Sequence, residues 1–93
     1  KLSVFNLNNH KDVTPELLAE IAEELSRNTS LKHLLLANTQ MTDKTAKLFA
    51  DALKNNKTLV QLNMESNFLT GGGLMAVITA LEENTTLIEL RLA

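Results

Sequence analysis

Apolar residues return along this chain at a fixed, long interval. Leu31, Leu59 and Leu87 stand 28 residues apart, as do Leu34, Leu62 and Leu90, and again Leu36, Met64 and Leu92. Leu2, Phe5 and Leu7 form a looser earlier copy. One residue separates the second and third apolar position of each copy, which is the alternation of a half-buried strand. A second set of positions repeats at the same interval: Val13, Met41 and Leu69; Leu18, Ala46 and Leu74; Ile21, Phe49 and Val77; Ala22, Ala50 and Ile78; Leu25, Leu53 and Leu81. From Leu18 to Leu25 these positions step by three, one and three, the apolar stripe of an amphipathic helix facing a core. The pattern slips once, by one extra residue in the strand-to-helix turn between Leu7 and Val13.

The strand portion spells L-x-x-L-x-L, and in the third copy it runs on to Asn67 as L-x-x-L-x-L-x-x-N, the signature of a leucine-rich repeat. The predicted fold class is therefore α/β, a leucine-rich-repeat solenoid. Right-handed strand–helix units stack side by side, with a parallel sheet on the concave face and helices on the convex face. A single domain or domain fragment spans 1–93, in repeats of about 2–30, 31–58 and 59–86 and a partial strand 87–93. Thr14, Thr42 and Thr70 precede the helical stretches as N-caps, and Pro15 occupies a first helical position, where its missing N–H costs nothing. Asn28, Asn56 and Asn84 follow the helices at one repeat position and are expected to close them in the left-handed conformation. A solenoid needs polar caps at its ends, and neither end carries one, so a longer domain, or ends covered by further chain, is expected.

Composition narrows the chemistry. Aromatic residues make up only 3% of a chain that is 44% apolar, so the core must be aliphatic. The formal net charge of -2 supplies neither the basic face nucleic acid requires nor a basic helix for an anionic membrane, and no apolar run is long enough to span one. The chain has no cysteine, hence no disulfide framework or thiolate metal site, and a reducing, cytoplasmic setting is the expectation. No Ser–His–Asp order, cysteine nucleophile or paired acidic motif points to an enzyme. The carboxylates Glu16, Glu20, Glu23, Glu24 and Asp51 read as solvated helix faces. His10 and His33 would make at most half a zinc shell, so neither a metal nor another cofactor is expected.

The segment Glu65-Ser66-Asn67-Phe68-Leu69-Thr70-Gly71-Gly72-Gly73-Leu74 resembles the most recognisable stretch of the tropomodulin and leiomodin family. Leu7-Asn8-Asn9 resembles that family's opening strand. Leu36-Ala37-Asn38-Thr39 and Asn84-Thr85-Thr86-Leu87-Ile88-Glu89-Leu90 are also similar to it. The resemblance implies a cytoskeletal protein at the pointed, slow-growing end of actin filaments, where the family's C-terminal repeat domain binds actin in capping or nucleation. It places the family's tropomyosin-binding segments N-terminal to the repeat domain, outside this chain.

Two surfaces are candidates for a protein partner. Strand alternation turns Leu34 and Leu36 inward, so His33 and Leu35 should face outward, joined by Val4, Asn6, Gln61, Asn63, Glu89 and Arg91. That face would be polar and weakly charged, with Leu35 as an exposed apolar spot. Taken singly, each of these residues also reads as an ordinary solvated strand residue. The strand-to-helix turns form the second surface, with Asn8, Asn9, His10, Lys11 and Glu65 as the contact residues. Asn67 is assigned to bonding inside its turn, and Phe68 is expected in the core. Gly71-Gly72-Gly73 opens a helix without a nucleotide fingerprint, and reads as close packing or a loosened first turn. The three Asn-x-Ser/Thr sequons at 28, 56 and 84 arise from the repeat itself. Beside an actin-binding module, two alternatives stand: a GTPase regulator, with Arg27 and Arg91 as its only arginines, and an inhibitor or sensor recognising another protein.

Overall fold

The computed structural model describes residues 2–92. In chain order it holds β1 (Val4–Asn6), α1 (Pro15–Arg27), β2 (His33–Leu35), α2 (Asp43–Asn55), β3 (Gln61–Asn63), α3 (Gly71–Ala80) and β4 (Glu89–Arg91). A 3-10 turn, Leu81–Glu83, extends α3. The four strands form one parallel sheet in sequence order. Parallel neighbours cannot be joined by a tight hairpin, so each helix serves as the crossover. Strands sit about 4.8 Å apart and packed helices roughly 8–10 Å apart, and this mismatch bends such a stack toward its strands.

The strand register carries the repeat length. His33 faces Gln61 and Gln61 faces Glu89 at the 28-residue interval, whereas Val4 faces His33 at 29. The extra residue before Val13 is thus absorbed in the turn, and both the first strand and the first helix stay in step with their neighbours.

The core lies between the sheet and the helices. Leu34, Leu36, Leu62 and Met64 from the sheet side meet Leu18, Leu25, Phe49, Leu53 and Val77 from the helices, all fully buried. Alanines at 22 and 50 are buried where one helix packs on the next. Ile78, at the same repeat position, is 47% exposed, because no described helix lies beyond α3 to cover it. The apolar stripe therefore identified the right face, but at this position burial depends on a neighbour.

The capping asparagines differ from expectation in conformation. Asn28, Asn56 and Asn84 sit at helix C-caps with extended backbone (φ −75, −80 and −117), not left-handed. Their side chains make the turn. The Asn56 Oδ1 accepts from the N–H groups of Thr58 (2.9 Å) and Leu59 (2.7 Å), while its Nδ2 donates to Leu25 O (2.8 Å) and Asn28 O (3.1 Å) in the preceding repeat. Asn84 repeats the scheme, with Oδ1 accepting from Thr86 and Leu87 and Nδ2 donating to Leu53 O and Asn56 O. An extended backbone is what lets the amide lie along the stack and reach both turns. Asn56 and Asn84 are 1% and 6% exposed, so these sequons are closed to modification in the folded chain.

The left-handed residues lie instead in the strand-to-helix turns: Asn9, Asn38, Gln40 and Ser66. Of the three threonine N-caps, Thr14 accepts from Leu17 N–H (3.0 Å), with Pro15 behind it as expected. Thr42 and Thr70 occupy N-cap positions without making that bond.

Candidate functional site

On the outward face of the sheet, two rows of side chains cross the strands. One runs Val4, His33, Gln61, Glu89; the other runs Asn6, Leu35, Asn63, Arg91. Their polar groups are engaged with one another. His33 Nδ1 lies 2.8 Å from Gln61 Oε1, and Arg91 Nε donates to Glu89 Oε2 at 2.5 Å. The Arg91 bond holds the Glu89 carboxyl below its usual range, helped by the charge of Arg91 and by Gln61, and Glu89 in turn raises Arg91. Asn6 and Asn63 fold back to accept from the N–H groups of Asn8 and Glu65, both at 2.9 Å. Leu35 is half-buried between its neighbours, less open than the alternation alone suggests. This face is a pre-paired polar surface with small apolar breaks at Val4 and Leu35.

The turns at the rim are built more rigidly. Asn67 Oδ1 accepts from Thr39 N–H (2.9 Å) and Met41 N–H (3.0 Å). Its Nδ2 donates to Leu36 O, Met64 O and Glu65 O, so one amide ties two successive turns together. Thr39, the equivalent residue one repeat earlier, is buried and donates its hydroxyl to Leu36 O (2.9 Å). Asn8 is half-buried and accepts from Ala37 N–H at 2.8 Å, which makes it a structural bridge to the next turn. Asn9, His10 and Lys11 are exposed, with the Asn9 Oδ1 accepting from Asn38 Nδ2 (3.2 Å). Glu65 is half-buried at the start of its turn.

Phe68 is not in the core. It is 66% exposed on this rim, while its backbone N–H donates to Met41 O at 2.8 Å and pairs the turn with the one before. Its counterpart 28 residues earlier is Gln40, also exposed, and that polar residue was the available signal that this position faces water.

A second feature, invisible in the repeat pattern, joins the last two helices. Asp43, the first residue of α2, accepts from Thr70 N–H (2.7 Å) and from the Thr70 hydroxyl, and Gly73 N–H also points to it. These bonds, that of the Thr70 hydroxyl first, hold its carboxyl below the usual range. The carboxylate thus caps the neighbouring helix, which has no acidic residue in its own first turn. A Cβ at Gly73 would overlap this carboxylate and stand 3.1 Å from Asp43 Cα, so Gly73 is a close-packing glycine. One at Gly71 would meet nothing, and one at Gly72 only an ordinary contact. Among the described residues no group of three His, Cys, Asp or Glu side chains converges as a metal site would require, and no helix is long and apolar enough to cross a membrane.

The sequence model described as the TMOD/LMOD leucine-rich domain matches residues 1–93. The chain belongs to that family. Among solved structures, this TMOD/LMOD chain superposes on one titled leiomodin-1 actin-binding site 2 with a TM-score of 0.96 and 42% identity, covering 99% of this chain and 53% of that one. It superposes on the tropomodulin C-terminal domain of Caenorhabditis elegans with a TM-score of 0.78 at 24% identity, covering 100% of this chain and 74% of that one, which shows the shared fold. Leiomodin-2 of Mus musculus is 46% identical over 49 residues, and leiomodin-2 of Homo sapiens is 45% identical over 49. Each of these matches covers 53% of this chain but only 9% of the leiomodin-2 length. In this TMOD/LMOD chain the parallel sheet, the asparagine ladder and the Asn67 turn form one architecture.

Proposed function

We propose that this chain is a non-enzymatic actin-binding module that acts at the pointed end of actin filaments in the manner of the tropomodulins and leiomodins, and so belongs to the cytoskeleton. The observation that carries the reading is the 42% identity and 0.96 TM-score to the leiomodin-1 actin-binding site 2 over 99% of the chain. The surface supports it: a rigid scaffold presents a polar sheet face and a rim of turns, with a pinned backbone and little conformational freedom to lose on docking. Both arginines that a GTPase-regulating reading would use are exposed and paired, Arg91 with Glu89 and Arg27 with Glu23 and Glu24.

The test is pyrene-actin elongation with the fast-growing ends blocked. Micromolar chain should slow growth from pointed ends if it caps, or shorten the lag of spontaneous assembly if it nucleates. Unchanged curves, together with no co-sedimentation with filaments, would remove the actin reading.

A further inference from the structure

Phe68 is out of place for a core residue. The chain's other phenylalanines are covered, Phe49 completely and Phe5 in part, whereas Phe68 is 66% exposed. Stacking does not remedy this. Gln40 occupies the same position one repeat earlier with the Asn67–Phe68 turn packed beside it, and Gln40 is still exposed. Gln40 takes the left-handed backbone and Phe68 does not, so the two turns differ locally, and what they share is a side chain turned to solvent at the rim.

The ring is also held ready. Its backbone is fixed to Met41 and Thr42 of the previous turn, and the adjacent Asn67 amide bonds five backbone groups across two repeats. Polar residues of the same two turns share the rim with it: Glu65, Ser66, Asn38 and Gln40. An exposed aromatic on a rigid backbone with polar neighbours has the form of a binding anchor, since the ring supplies the desolvated area and the surround excludes water. The sheet face lacks this form, because its polar groups are already paired with one another.

Building on the actin-binding reading, we infer that Phe68 is the apolar anchor of the actin contact, inserted from the rim into an apolar pocket of the actin surface, and that the rim dominates over the sheet face. The experiment compares wild type, Phe68→Gln (the residue found at position 40) and Leu35→Ala by co-sedimentation with filaments and by pointed-end elongation, with thermal unfolding measured on each. Phe68→Gln should unfold as wild type does yet bind roughly tenfold or more weakly, a larger loss than Leu35→Ala causes on the sheet face. If wild type binds and Phe68→Gln binds equally well, this inference falls and the actin reading stands. A larger loss from Leu35→Ala than from Phe68→Gln also overturns it, moving the anchor to the sheet face. If wild type itself does not bind, both readings fall together.

Discussion

Asn67 and Asp43 show how much of this solenoid rests on single side chains that reach into the next repeat. Removing the Asn67 amide strands the N–H groups of Thr39 and Met41 and the Met64 carbonyl, and takes one of the two donors from Leu36 O and from Glu65 O. Asn67→Ala should therefore destabilise the chain by about 3 kcal/mol in urea unfolding, far more than an exposed Asn would. Asp43 gives a pH signature. Its folded pKa is lowered from 3.8, so its contribution is fully present above the unfolded value and is lost as pH falls through the folded one. Asp43→Asn should lower stability near neutrality, where the contribution is fully present, and flatten the acid limb below pH about 4, so that the two profiles converge at low pH. The structural role of Asn67 was legible because the repeat signature places that residue in the turn. Those of Asp43 and Phe68 were not. Asp43 acts on a helix 27 residues away, and Phe68 is apolar at a position whose exposure only the comparison with Gln40 discloses.

Among the elements, α3 is the outlier. Its first turn is Gly71-Gly72-Gly73, and only the third glycine is demanded by packing. Gly72→Ala should raise stability by roughly 0.5–1 kcal/mol by restricting the unfolded chain, whereas Gly73→Ala should lower it by displacing Asp43, a contrast that thermal melts of the two variants would read directly. Amides of 70–75 should also exchange earlier than those of 42–47, where the equivalent turn of α2 has no glycine. Helix positions and starts could be read from the apolar steps and the threonines. The way the helices end could not: asparagine after a helix suggests a left-handed cap, yet here the backbone stays extended because the side chain has two turns to bond.

For the molecule as a whole, stability is shared between neighbours, so position in the stack decides what a residue is worth. Leu34 and Leu62 are fully buried and Leu90, at the same repeat position, is half-exposed on the last described strand. Leu34→Ala and Leu62→Ala should each cost about 2–5 kcal/mol, and Leu90→Ala distinctly less, in equilibrium urea unfolding of the 93-residue chain.

Periodicity along the chain was enough to give the repeat length, the alternation of strand and helix, the parallel order and the face each unit buries. A strand and a helix each reveal their apolar side in one dimension, so these features need no knowledge of what packs against them. Which side chains cross between repeats, and which apolar residues stay in water, emerged only from the folded arrangement. Asn56 reaching Leu25, Asp43 capping α3 and Phe68 standing clear of the core depend on distances between units that are far apart in sequence. A linear pattern carries the identity of such residues but not the geometry of the gap they bridge.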